Sequence, residues 1–277
     1  MTERMTIRPV STFVGAEILD VDLAGSLPEP TVDAIRRALF QHGVVFFRDQ
    51  KLTPEQHVAF AQRFGEININ RFFKAVDGHP MIAEVRKEPE QKGNIGGGWH
   101  TDHSYDQAPA MGSILYAREV PETGGDTLFA SMYAAYDALP QRLKQQLEGR
   151  VGAFTYGGRR KATTLLNAED RDWKPVFHPI VRTHPETGRK ALYFDPGKIL
   201  RIEGLEASES DALIDELAGY MIQPEGQYRH TWRKGDIVIW DNRCSYHKAA
   251  GDYPPEEDRI HWRVSIKERA EGNGDRR

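Results

Sequence analysis

Apolar positions in this chain come in short runs whose period switches between two residues and about 3.6. Over residues 6–22, Ile7, Val10, Phe13, Val14, Ile18 and Val21 stand among polar neighbours and predict one or two short strands. Over residues 30–41, Val32, Ile35, Leu39 and Phe40 recur at helical spacing, with Gly43 as the C-terminal stop. The run Val44, Val45, Phe46, Phe47 predicts a buried strand. Thr53, Pro54 and Gln56 give a capping-box pattern with proline at the first helical position, opening a second helix that ends near Gly65. Further strands are predicted at 82–85, 111–117 and 126–129. Ser131 caps a short helix to Asp137, and Pro140 opens another to about Glu148. Strands at 180–183 and 191–194 flank a turn from His184 to Gly188. Residues 208–221 predict a helix capped by Ser208 and Asp211, with Leu213, Ile214 and Leu217 on one face. The last quarter is strand-rich, at 228–232, 237–240 and 260–266. Many short strands, with helices near the N-terminus and in insertions, predict a mainly β fold with flanking helices. The expected architecture is a double-sheet jelly roll rather than alternating βαβ units.

Two stretches break the apolar pattern in a chemically useful way. In an extended Trp99-His100-Thr101-Asp102, His100 and Asp102 project to the same side, which offers an imidazole nitrogen and a carboxylate oxygen to one metal ion. Such His-x-acid pairs are no more frequent here than chance supplies. The only other one, His184-Pro185-Glu186, lies in the turn with proline and glycine as punctuation and reads as structural. In residues 259–266 strict alternation puts Arg259, His261, Arg263 and Ser265 on one face and Ile260, Trp262, Val264 and Ile266 on the other. Taken alone, the arginine face reads as solvated surface; next to a metal dyad it reads as an anion site. The segment Trp240-Asp241-Asn242-Arg243 ends a buried strand, and His247 follows in a turn-like stretch. A hairpin of that length would put His247 and Arg259 on neighbouring strands. Cys244 reads as a buried, inert thiol.

Composition narrows the picture. The 277 residues are 39% hydrophobic and 28% charged, enough for a sizeable core under a solvated surface, and no boundary divides them. The expectation is one domain over 1–267, with a disordered tail at 268–277. A net charge of −4 gives no global basic footprint for nucleic acid or an anionic membrane. Cys244 is the only cysteine, residues 1–9 lack the apolar core of a signal peptide, and no run is long and apolar enough to span a bilayer. A cytoplasmic protein is expected. The Gly-rich stretch within 86–98 is either a closing lid or a flexible connector. The basic region 150–175, with Arg159, Arg160 and Lys161, is either a substrate-facing loop or a solvated insertion.

Trp99-His100-Thr101-Asp102, Gly124-Gly125-Asp126-Thr127, His178-Pro179 with residues 181–185, Trp240-Asp241-Asn242-Arg243, His247, and Arg259 with Arg263 together resemble the taurine dioxygenase/TfdA family of iron(II)- and 2-oxoglutarate-dependent dioxygenases. The resemblance runs in order from about residue 10 to 267. It implies a double-stranded β-helix, a cupin-like jelly roll. It implies His100, Asp102 and His247 as Fe(II) ligands, Arg259 with Thr127 on the distal carboxylate of 2-oxoglutarate, and Arg263 on an anionic group of the primary substrate. O2 is the oxidant, and succinate and CO2 are the coproducts of hydroxylation at an aliphatic carbon. Related halogenases lack the carboxylate ligand, so Asp102 implies hydroxylation. Asn70 and Lys198 align with substrate-pocket positions of taurine dioxygenase, where that enzyme has a histidine and an aromatic residue, and Phe73 replaces a tyrosine. With His103 beside the dyad, this set implies a small carboxylate, sulfonate or phosphonate other than taurine. Relatives imply a homodimer or tetramer. Two other classes remain open: a zinc hydrolase using the same three ligands, and a non-catalytic jelly-roll module that binds a small molecule.

Overall fold

The computed structural model describes residues 5–87, 96–159 and 174–268. Its largest sheet has nine strands. Eight follow the order Thr6–Pro9, Ala16–Leu19, Val44–Phe47, Ile237–Asp241, Ala110–Glu119, Ile260–Lys267, His79–Arg86 and Ala75–Val76, and Ile67–Asn68 pairs beside Ile260–Lys267. Only Ala16–Leu19 and Val44–Phe47 run parallel. Facing the large sheet is a smaller one, Gln227–His230, Thr127–Ser131 and Ser245–Ala249. This is the jelly roll expected from the strand count.

Why the central strands read as unbroken apolar runs is visible in their packing. Val45, Phe47, Ile237 and Ile239 point outward into a core closed by the helices Glu29–His42 and Pro54–Gln62, while Val44, Phe46, Val238 and Trp240 point inward towards Phe129 of the small sheet. Both faces are therefore dry, so alternation is lost from the sequence pattern. Each such side chain contributes about 1.5–3 kcal/mol by leaving water. A third core lies behind the small sheet. There Ala130, Cys244 and Tyr246 pack with the helices Met132–Asp137, Gln141–Leu147 and Ala207–Met221 and with the strand Val151–Phe154.

The first helix ends at Gly43 with φ 70°, and Thr53 and Gln56 form the capping box as the sequence suggests. Ser131 accepts from the Ala134 amide at the start of its helix. Two expectations are corrected. The helix at 207–221 is capped by Glu206 with Glu209, not by Ser208 and Asp211; the chain enters one residue earlier, so the acidic pair two residues upstream meets the free amides. The stretch around His247 is a strand, Ser245–Ala249, not a turn. It pairs with Thr127–Ser131, whereas the strand following Arg259 pairs with Ala110–Glu119 and His79–Arg86, so His247 and Arg259 lie on opposed sheets rather than in a hairpin. Arg259, His261 and Ser265 are buried and Arg263 nearly so, so the arginine face is interior, as its place beside the metal dyad suggested.

The expected lid overlaps residues 88–95, the tail overlaps 269–277, and Arg160 and Lys161 fall in 160–173; these lie outside the described residues. Among the described residues no helix is long and apolar enough to cross a membrane.

Candidate metal and anion site

The dyad does not lie in the extended strand that would put His100 and Asp102 on one side. His100 makes a single bridge to His247, with its amide donating to the His247 carbonyl and the reverse, both at 2.9 Å, and the chain turns at Asp102. That bridge joins the loop after Gly96 to the small sheet and brings the rings of His100 and His247 to 4.2 Å. The Nε2 atoms of His100 and His247 each lie 3.9 Å from an oxygen of Asp102. One ligand atom from each of the three residues lies within 4.8 Å of the others. Donors on an octahedral cation with bonds of roughly 2.1 Å sit about 3 Å apart, so a divalent ion fits after a small inward movement.

The surroundings suit a cation. The His100 Nδ1 lies 2.8 Å from the Gly98 carbonyl, an acceptor only, so Nδ1 carries the proton and Nε2 keeps its lone pair for a metal. Burial would push the Asp102 carboxyl up, but the Arg263 guanidinium, followed by His247, His100 and His103, more than offsets this and holds it far below the usual carboxylate range. Arg263 Nη2 is 2.7 Å from Asp102 Oδ2, and Trp240 Nε1 donates to the same oxygen at 3.2 Å. Burial first, then the charge of His100, drives the His247 imidazole well below its usual range, which keeps it neutral and able to ligate.

A second feature stands at the end of the strand that carries Arg263. Arg259 is only 9% exposed, yet it makes no ion pair among the described residues. Its Nε donates to the Gly125 carbonyl at 2.8 Å, and Nη2 points to Thr127 Oγ1 at 3.5 Å. Thr127 Oγ1 already accepts from Trp232 Nε1 at 3.0 Å, so the hydroxyl proton is left to donate elsewhere. A buried, unpaired guanidinium beside a free hydroxyl donor is half of an anion-binding contact.

The family model for the taurine catabolism dioxygenase TauD, TfdA family matches residues 6–265. The chain belongs to the TauD/TfdA family of dioxygenases. It is 36% identical to an alkylsulfatase of Acinetobacter baylyi over 96% of this chain and 86% of that protein. It is 37% identical to the alpha-ketoglutarate-dependent 2,4-dichlorophenoxyacetate dioxygenase of Cupriavidus pinatubonensis, over 87% of this chain and 90% of that protein. Among solved structures, AAD-2 in complex with Mn(II) and N-oxalylglycine superposes with a TM-score of 0.83 at 30% identity, covering 96% of this chain and 98% of that one.

The other TauD/TfdA positions singled out in the sequence have mixed fates. Asn70 turns its side-chain carbonyl back on the amides of Phe72 and Phe73, at 2.8 and 2.9 Å, and so shapes its own loop. His103, at φ 59°, holds Asp106 through Nδ1 at 2.9 Å, and Asp106 in turn holds Arg71 at 2.7 Å. These contacts tie the loop at 70–73 to the turn after Asp102. Lys198 Nζ donates to the Tyr156 carbonyl at 2.8 Å and lies 3.9 Å from the Tyr156 ring centroid, with Phe72 stacked on that ring and Tyr105 meeting it edge-on. Arg263 spends Nε and Nη2 on Asp102, Ser113 and Ser265.

The motif Trp240-Asp241-Asn242-Arg243 turns out to be the corner that aims His247. Asn242 binds the dyad loop and the neighbouring strand together: its carbonyl accepts from Thr101 Oγ1 at 2.9 Å, and its side chain donates to the Ala110 carbonyl at 3.1 Å. Asp241 is fully buried and clamped by Arg243 through Nε at 2.9 Å and Nη2 at 2.6 Å, with His184 Nε2 at 3.0 Å. Burial would raise the Asp241 carboxyl, and Arg243 and His184 pull it far below its usual range. His184, Asp241 and Cys244 therefore form a close cluster whose oxygens and ring nitrogens are already occupied, which explains why the second His-x-acid pair is structural. Sequence reasoning missed Ser113 and Trp232. The visible signal for Ser113 was a hydroxyl interrupting the apolar run at 111–117.

Proposed function

We propose that this dioxygenase holds Fe(II) on His100, Asp102 and His247 and 2-oxoglutarate between that ion and Arg259, and that it hydroxylates an aliphatic carbon of a small anionic molecule. The observation that carries the reading is the pairing of a converged His, Asp, His set with a buried guanidinium that lacks an anion. A zinc hydrolase has no use for the second feature, and a simple binding module has no use for the first. The fit extends to the donors: two neutral imidazoles and one carboxylate leave positions on the ion for a chelating 2-oxo acid and for O2.

Iron with O2 supplies oxidative decarboxylation of 2-oxoglutarate to succinate and CO2, with the second oxygen atom entering a substrate C–H bond to give the alcohol. The protein's share is placement. Arg259 grips the distal carboxylate through a planar donor fork, and Thr127 adds its hydroxyl proton. Arg263 and Trp240 fix the Asp102 carboxylate, so that one oxygen stays turned to the ion. Lys198, half-buried against Tyr156, keeps ammonium protons for the anionic group of the substrate. Relatives named for phenoxypropionate, dichlorophenoxyacetate and sulfate esters support a carboxylate or sulfate class.

The test is succinate release by iron-loaded protein under air, with alkyl sulfates, aryloxyacetates and their neutral counterparts. Anionic members should stimulate it above the substrate-free background, and Arg259→Ala should abolish it. Stimulation confined to neutral compounds would remove the anionic-substrate reading, and oxygen-independent turnover would favour the hydrolase.

A further inference from the structure

The two imidazoles proposed as ligands have chain neighbours that also meet. His100 faces His247 across its backbone bridge, and Trp99 stacks on Tyr246, with ring centroids 5.8 Å apart and planes 9° from parallel. Successive side chains on paired backbones point to opposite faces, so the four residues form a block with two sides. On the inner side His247 packs on Trp240 and Phe129, and His100 lies against it. On the other side Tyr246, 1% exposed, belongs to the core behind the small sheet, and half-buried Trp99 packs against that core. The Tyr246 hydroxyl has no hydrogen-bond partner among the described residues, so packing rather than hydrogen bonding holds the ring that Trp99 meets.

Little else fixes the approach to His100. Ser245–Ala249 ends the small sheet, and among the described residues no other strand lies along its outer edge. The loop meets that edge through the two His100–His247 bonds and one from the Ala249 amide to the Gly96 carbonyl, all 2.9 Å long. Beyond His100 the chain is tied instead to Asn242, through Thr101 and Asp102. Backbone bonds carry no register of their own, and a slip of one residue would turn His100 away from the ion and aim Trp99 at it. The ring stack tells these registers apart, because only one of them puts the indole against the apolar core. We propose that Trp99 is a positioning residue for the metal: stacked on Tyr246, it fixes the register in which His100 meets His247. This rests on the metal site inferred above and adds a residue that acts from behind the ligands.

The experiment uses Mn(II), which takes the same nitrogen and oxygen donors, on wild type, Trp99→Leu and Trp99→Phe. Leucine keeps apolar volume without a stacking face, and phenylalanine keeps the face. Mn(II) affinity is read by calorimetry, and amide hydrogen exchange of the metal-free protein by NMR. Trp99→Leu should weaken Mn(II) about tenfold, or ~1.4 kcal/mol, and Trp99→Phe less than about threefold. The His100 and His247 amides, which bond each other's carbonyls, should exchange at least about tenfold faster in Trp99→Leu. Amides of Val44–Phe47 in the large sheet should keep their rates, which separates a shifted loop from a destabilised protein. Unchanged Mn(II) affinity in Trp99→Leu, equal loss in both variants, or faster exchange across both sheets would show that Trp99 only fills the core. Should Trp99→Leu fail to fold, Trp99→Met, also apolar and without a ring, takes its place in the comparison. Wild-type protein that binds no Mn(II) would sink the metal site itself, a result distinct from the other outcomes.

Discussion

Residue chemistry decides most at Arg259, a guanidinium buried without a counter-ion among the described residues, which the proposed 2-oxoglutarate carboxylate would complete. Arg259→Lys keeps the charge but loses the planar fork, so 2-oxoglutarate affinity should drop at least tenfold while the metal-binding constant stays within about twofold. Competitive metal titration checks the second half of that statement. Asp195 offers a pH test. It is buried with Oδ2 unpartnered, and burial pushes its carboxyl up from near 3.8 to about 6, despite opposing pulls from His100, the Gly197 amide and Lys198. Because the folded-state value is the higher one, the unfolded chain ionises first as pH rises. Asp195's own contribution to the stability of the metal-free protein should therefore fall between about pH 4 and 6 and then level off, read as the difference from Asp195→Asn. Asp195→Asn should remove that fall and stabilise the protein at pH 7 by about 2 kcal/mol, read from urea melts across the pH range. Among the candidate residues, the three that converge carried a sequence signal only as a set. A lone histidine such as His247 has nothing local to mark it, and the opposite error was possible at His184, whose nitrogens are consumed by Asp241 and by its own turn.

At the scale of elements, the corner 240–245 controls the site at a distance. Asp241 fills both of its oxygens with Arg243 and His184 and holds Ser245 through its carbonyl, so the strand that carries His247 leaves the corner in one direction. Asp241→Asn breaks one side of a buried pair and should cost about 3–5 kcal/mol, with metal affinity lost alongside stability in denaturant and titration curves. Gly112 shows how closely the neighbouring strand approaches: a Cβ there would meet the Trp240 carbonyl oxygen at 2.3 Å. Gly112→Ala should lower the melting temperature by several degrees, because backbone has to move to admit it. Helices were legible because capping is local, as Thr53, Ser131 and Gly43 show. The strand Ser245–Ala249 was not, since Ser, Tyr, His and Lys have no alternation to read and its pairing partner lies more than a hundred residues earlier. The Glu206 cap was missed for a similar reason: a carboxylate two residues upstream competes equally well for the same amides.

For the whole molecule, the jelly roll explains why residues from three distant parts of the chain meet. The large sheet supplies Arg263 from one strand and Arg259 from the residue just before it, the small sheet supplies Thr127 and His247, and the loop bridged to His247 supplies His100 and Asp102. Fold class was readable from many short strands with few helices, but the assignment of strands to sheets was not, because register and sheet membership depend on contacts that no local pattern records. The expected hairpin between His247 and Arg259 failed on that ground. Its failure strengthens the site, since facing sheets enclose a cosubstrate between them where adjacent strands would lie side by side.

The measurement that tests this account most directly is an anaerobic titration of the protein with Fe(II) and then 2-oxoglutarate, followed by visible absorption. A chelated 2-oxo acid on ferrous iron should give a charge-transfer band that saturates at one equivalent of iron, disappears in His247→Ala and shifts when a substrate displaces the remaining water. Saturable 2-oxoglutarate binding with no such band, or a band that survives in His247→Ala, would contradict the convergence of 100, 102 and 247 on one ion.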